Sequence, residues 1–245
     1  MDKTLIIASM ALALAACGGD GDDPPQPHPH LFPAEGLYRG KTSTNQDITA
    51  LVLDNGTYYV AYDGPPFSRG VLQGTMHVDH GSFTSSDGKD FSVSFRDMFD
   101  VSLHGNYATR AHLNGTIRYP ATGQSATFTS TYDRDYERTP TLAAVAGTYE
   151  GEAVARGAVE SIAMSISATG VIHGMGASAC RFTGVVRPRS RGNVYDITVT
   201  YGPSPCARPG HHLRGNAYYR AEDRTLFAAA INAERTEILL FEGLR

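Results

Sequence analysis

Five arginines, Arg181, Arg187, Arg189, Arg191 and Arg208, make the densest positive stretch of this 245-residue chain and form its candidate binding surface. Guanidinium groups suit an acidic partner, such as a lipid head group, a polysaccharide or an acidic protein face. A solvated hairpin tip accounts for Arg187, Arg189 and Arg191 as well, so both readings stay open. Histidines come in two close pairs outside the N-terminal stretch, His77 with His80 and His211 with His212. On a continuing strand, alternation sends the members of each pair to opposite faces, which argues against a shared metal. Asp97 and Asp100 offer carboxylates, but no spacing marks them as an acid and base pair. The chain has no Gly-x-Ser-x-Gly, His-Glu-x-x-His or phosphate-loop motif. The sequence thus nominates no catalytic residue, no metal ligand and no cofactor, and the expectation is a protein that is not an enzyme.

The N-terminus says where the chain goes. Thr4 to Ala16 is an apolar run behind Lys3, shorter than the roughly 20 residues a spanning helix needs. It ends in Leu14-Ala15-Ala16-Cys17, which resembles the lipobox of bacterial lipoproteins cleaved by a type II signal peptidase. Asp2 beside Lys3 departs from the usual basic start. The resemblance implies a signal peptide over 1–16 and a Cys17 that carries diacylglycerol and a further acyl chain such as palmitate. Each buried methylene contributes roughly 0.8 kcal/mol, and one chain alone holds only marginally. Two or three together anchor the protein to a membrane. Gly18 stands where an aspartate would favour inner-membrane retention, so the resemblance points to the outer membrane, on either face.

Cysteine arithmetic follows from that anchor. The chain has three cysteines, and lipidation of Cys17 leaves Cys180 and Cys206 as an even pair in an exported protein. A disulfide between them is expected. Residues 17–33 read as a tether: Gly and Asp make a flexible start, and alternating prolines a stiffer end. Asp20, Asp22 and Asp23 lack the remaining ligands of a calcium loop, and His28 with His30 would give only a two-ligand site.

Composition sets the fold class. Net charge is −4, which leaves no basic footprint for nucleic acid. The 41% of apolar residues allows packed cores, while 26 Gly and 13 Tyr with no Trp lean to β structure. From Gly36 onward, short alternating runs are punctuated by turn residues. Asn55-Gly56 lies between Ile48–Leu53 and Thr57–Tyr62 and predicts a two-residue type I′ hairpin. Its tyrosines, Tyr58, Tyr59 and Tyr62, alternate between core packing and an outer face. Asp87-Gly88 reads as a turn between short strands at Phe83 and Phe91–Phe95, and residues 96–100 as a loop or helical turn. Strands resume at Leu113–Tyr119 and Ala126–Tyr132. Thr139 with Pro140 predicts a capped helical turn that Gly147 stops.

Three short matches recur in order: Gly36–Gly40 with Gly147–Gly151, Leu72–Met76 with Phe182–Val186, and Leu113–Ile117 with Leu213–Ala217. They predict a duplicated unit of roughly 100 residues. About eight strands per unit suit an up-and-down antiparallel barrel or a curled sandwich. The helical turn followed by Gly-x-Tyr, at Gly36-Leu37-Tyr38 and Gly147-Thr148-Tyr149, resembles the Gly-x-Trp opening of lipocalin-like (calycin) barrels. The resemblance implies two barrel-like domains, 34–137 and 138–245, and carries no ligand with it. Function divides into a non-catalytic module that binds a macromolecule through exposed loops, a carrier of a small apolar ligand, and a cell-envelope enzyme of unknown reaction, which would need convergent titratable groups in a cleft. An open apolar pocket of about 300 Å³ or more favours the second.

Overall fold

The computed structural model describes residues 32–64, 68–155 and 158–245. The lipobox, Cys17 and the tether as far as residue 31, with its histidines and aspartates, lie outside the described residues.

Within Leu31–Arg245, a single compact unit, the chain closes two antiparallel barrels. The first is built from β1 (Gly36–Thr42), β2 (Asp47–Val52), β3 (Thr57–Gly64), β4 (Ser68–Thr75), β5 (His77–Asp79), β6 (Ser82–Ser92), β7 (Asp97–Ala108), β8 (His112–Tyr119) and β9 (Gln124–Asp133). Pairing of β1 with β9 and of β4 with β6 shuts an eight-membered ring, leaving β5 as a spur on β6. The second ring is β10 (Gly147–Ala155), β11 (Ala158–Ile166), β12 (Val171–Gly176), β13 (Arg181–Pro188), β14 (Val194–Tyr201), β15 (His212–Arg220), β16 (Thr225–Ile231) and β17 (Ile238–Leu244). It closes through β10 and β17. The all-β reading with two eight-stranded barrels is what the structure shows.

Some local expectations are corrected. The hairpin at Asn55-Gly56 exists, but Gly56 has φ +81° and Asn55 is not left-handed, so the turn is not type I′. Gly56 N–H donates to Leu53 O at 3.0 Å, and Leu53 N–H to Thr57 O at 2.8 Å, which is a three-residue loop ending in a left-handed glycine. Asp87-Gly88 is no turn. It lies at a register shift within the continuous 11-residue β6, where a bulge bends the strand. In the ambiguous segment at 96–100, Arg96 closes a turn with φ +53° and the rest opens the 12-residue β7, which the sequence reading missed because polar residues interrupt its alternation. Thr141, rather than Thr139, caps the helical turn α1 (Leu142–Val145), accepting the Ala144 N–H at 3.1 Å.

The repeat is firmer in hydrogen bonds than in sequence. Tyr38 Oη donates to Ala34 O at 3.0 Å, and Tyr149 Oη donates to Val145 O at 2.9 Å. The β2–β3 turn recurs as the β11–β12 turn: Gly170 has φ +82°, and Gly170 N–H donates to Ser167 O at 2.9 Å. Even the next bond is shared, with Met76 N–H on Gly56 O and Val186 N–H on Gly170 O, both 2.8 Å. Gly40 and Gly151 let the first strand of each ring press on the last; a Cβ there would meet a carbonyl oxygen at 1.9 and 2.0 Å. Leu72 and Phe182 fall on equivalent strands, β4 and β13. Leu113 and Leu213 do not, since β8 is the seventh member of its ring and β15 the sixth.

The rings pack side by side. Leu37, Leu51, Leu53, Tyr59, Val71 and Phe91 from the outside of the first meet Val194, Tyr218 and Ile238 from the outside of the second. Full burial of one such side chain contributes roughly 1.5–3 kcal/mol. Charged groups frame this seam: Arg69 reaches Glu152 at 3.5 Å and Glu242 at 3.2 Å, and Arg235 reaches Asp87 at 3.2 Å. Phe32, at the end of the expected tether, packs on the core of the first barrel.

Candidate functional site

The two barrel interiors differ. The first is filled by large side chains, among them Tyr38, Tyr58, Leu72, Phe83, Leu113 and Phe128. Toward one end it buries Asp90, 3% exposed, which accepts the hydroxyls of Tyr62 and Tyr119 at 2.8 Å each. Burial raises the Asp90 carboxyl above its ordinary value, and the two phenol bonds pull it back. The same burial and the neighbouring Asp90 push both phenols up. Tyr58 and Tyr62 thus face inward, while Tyr59 enters the seam.

The second barrel encloses a cavity of about 400 Å³. Strand alternation explains its walls. Inward positions carry Ile162, Met164 and Ile166 on β11, and Ile197 and Val199 on β14. Facing them are alanines, Ala153 on β10, Ala217 on β15, and Ala228 and Ala230 on β16, so the middle stays unfilled. Helix α1 plugs one end through Leu142, Ala144 and Val145. Arg245 fastens the plug by donating to the carbonyls of Ala144 and Ala146 at 2.9 Å, and Tyr195 Oη donates to Thr141 O at 3.2 Å.

The opposite end is polar and reaches solvent beside the exposed Pro205 and Ala207. Its rim is the loop between β14 and β15, tied to the end of the β12–β13 turn by the Cys180–Cys206 disulfide that the cysteine arithmetic predicted. Glu237, 3% exposed, takes Arg208 Nη1 at 3.2 Å and His211 Nδ1 at 3.1 Å. Glu160 Oε2 accepts the Ser178 N–H at 3.2 Å. Tyr201 Oη is buried there with no hydrogen-bond partner among the described residues. Burial, with Glu237 and Glu160 adding to it, holds the Tyr201 phenol well above the usual range, so it stays a donor. A second hollow, about 260 Å³, lies in the seam beside Arg69 and Tyr218.

The five candidate arginines do not form one surface. Arg181 opens β13 and Arg187 lies near its other end, about 20 Å away at ~3.3 Å per residue. Arg208 lines the cavity mouth, whereas Arg181, next to the disulfide-bonded Cys180, is not among the lining residues. Arg189 bonds Asp196 at 2.6 Å and crosses the seam to Asp54 at 2.5 Å, while Arg191 holds Glu35 of the first barrel. Arg181 and Arg187 remain exposed. The histidine pairs do not converge: His211 joins Glu237, His212 meets Thr200 at 3.0 Å, and His80 bonds Asp79. Asp100 is paired with Lys89, and Asp97 caps its own strand by accepting the Met98 N–H at 2.8 Å. Among the described residues no three His, Cys, Asp or Glu gather as metal ligands, and no helix is long and apolar enough to cross a membrane.

Sequence reasoning raised a ligand-holding interior without saying which barrel has one, and it missed Tyr201. The signal available was the inward alanine positions of β10, β15 and β16, legible only once strand register is known. No family model matches the sequence, and a search of curated proteins finds no match. Among solved structures, the chain is similar to a "putative outer membrane protein" from Bacteroides fragilis at 14% identity, over 86% of this chain and 96% of that one, with a TM-score of 0.27.

Proposed function

We propose that this chain is a non-catalytic outer-membrane lipoprotein, anchored through Cys17, whose C-terminal barrel carries one small apolar ligand. The observation that carries this reading is the cavity of about 400 Å³, walled by aliphatic side chains with Phe182 and Phe241, and polar at one rim only. Clefts of roughly 300–1,000 Å³ with few placed polar groups are the usual small-molecule sites. Leu14-Ala15-Ala16-Cys17 supports the anchor, and Gly18 supports the outer membrane. Macromolecular recognition through the arginines has less support, because Arg189, Arg191 and Arg208 already serve carboxylates of this chain.

Two measurements test it. Native mass spectrometry of the full chain carrying Cys17→Ser, released from cells without detergent, should show a small-molecule adduct lost on collisional heating. Absence of an adduct, together with no binding of any aliphatic probe, defeats the carrier reading. Cells fed labelled palmitate should label the wild type and not Cys17→Ser; equal labelling of the variant, or none of the wild type, defeats the anchor.

A further inference from the structure

Inward positions of β14 run Tyr195, Ile197, Val199 and Tyr201, so alternation aims Tyr201 into the cavity near its rim. Tyr149 and Tyr195, two of the inward phenols toward the plugged end, are both bonded to main-chain carbonyls. Tyr201 has no such partner among the described residues. Buried hydroxyls are nearly always paired, so a donor left single and facing an apolar chamber marks where a ligand acceptor belongs.

The charges around it decide what kind of acceptor. Glu160 and Glu237 both line the cavity near Tyr201. Arg208 and His211, the nitrogen-bearing side chains that the disulfide loop brings to Glu237, are both engaged by it. No unspent positive charge faces the chamber among its described lining residues, and a carboxylate head would lie beside two others in a poorly solvated site. An ammonium head would be drawn to Glu160, but it has no lone pair to accept the Tyr201 hydroxyl.

Resting on the carrier reading above, we propose that the cavity selects a neutral, singly oxygenated aliphatic ligand whose oxygen accepts the Tyr201 hydroxyl. At ~30 Å³ per small group, about 13 non-hydrogen atoms fill the volume. A medium-chain alcohol or ketone has that size and chemistry; the fatty acid of the same length is rejected.

The test is calorimetric titration of the full chain carrying Cys17→Ser with 1-decanol, decanoate and decylammonium at pH 7.4, alongside naphthalene as an oxygen-free probe. Decanol should bind at least about tenfold more tightly than decanoate, the isolated buried charge being the disfavoured species. Adding Tyr201→Phe, which keeps the ring and its packing, should weaken decanol about fivefold, one ordinary hydrogen bond, and leave naphthalene unchanged. Decanoate or decylammonium binding as tightly as decanol overturns the head-group assignment. So does equal loss of decanol and naphthalene in Tyr201→Phe, or binding of naphthalene alone. If none of the four binds, the carrier reading itself falls.

Discussion

Filling the chamber of the second barrel should shorten the longest chain it accepts. Ala153 and Ala217 are 4% and 2% exposed and line the cavity from strands that are not neighbours, β10 and β15. Replacing both by leucine adds three carbons at each, about 180 Å³ in all at ~30 Å³ per group. That removes close to half of the 400 Å³. In the wild type, each added methylene of a primary alcohol should contribute ~0.8 kcal/mol, about fourfold in affinity. The gain should end near twelve carbons, where the chamber is full. In Ala153→Leu with Ala217→Leu the same slope should end about six carbons earlier, so dodecanol loses about 5 kcal/mol at most while hexanol is little changed. Titration from hexanol to tetradecanol reads both slope and break. Because the leucines enter unfilled space rather than a packed core, the melting temperature should hold or rise. A break that stays at the wild-type length in a folded variant would falsify the assignment of the chamber as the binding site.

Other consequences are as direct. Cys180→Ser with Cys206→Ser opens a loop whose ends are 26 residues apart, about 3.5 kcal/mol in the chain-entropy model, readable by urea denaturation. Tyr38→Phe and Tyr149→Phe each leave a buried carbonyl without its phenol and should cost about 1–2 kcal/mol apiece, nearly alike because the sites are equivalent. A loss confined to one barrel would break that equivalence. Asp90 has a folded-state value above its ordinary one, so its share of stability is fully present at acid pH and declines as pH rises through the raised value. Wild type should therefore lose stability relative to Asp90→Asn as pH rises above the ordinary carboxylate range, about pH 4, and a thermal-melt series showing the opposite trend refutes it.

Much of this molecule was legible in its residues because β structure writes itself at short range. Alternation placed most of the strands, and Gly-x-Tyr marked both ring openings. The even cysteine pair announced its own bond. What failed was conformation that neighbours decide. Asp87-Gly88 has the composition of a turn, yet the partner strand β7 holds it in line as a bulge. Asn55-Gly56 has the composition of type I′, yet register with β3 makes a longer loop. The arginines at 189 and 191 read as solvated because their carboxylate partners, Asp54 and Glu35, are more than a hundred residues away. The chamber is the furthest from local information. It exists because alanines on β10, β15 and β16 face the same axis, and ring closure is a long-range event that no window of sequence contains. Sequence alone determined a repeated unit of about eight strands, barrel or curled sandwich; tertiary closure decided that both are rings and which of them stayed hollow, since volume is the sum of inward side chains from all eight strands.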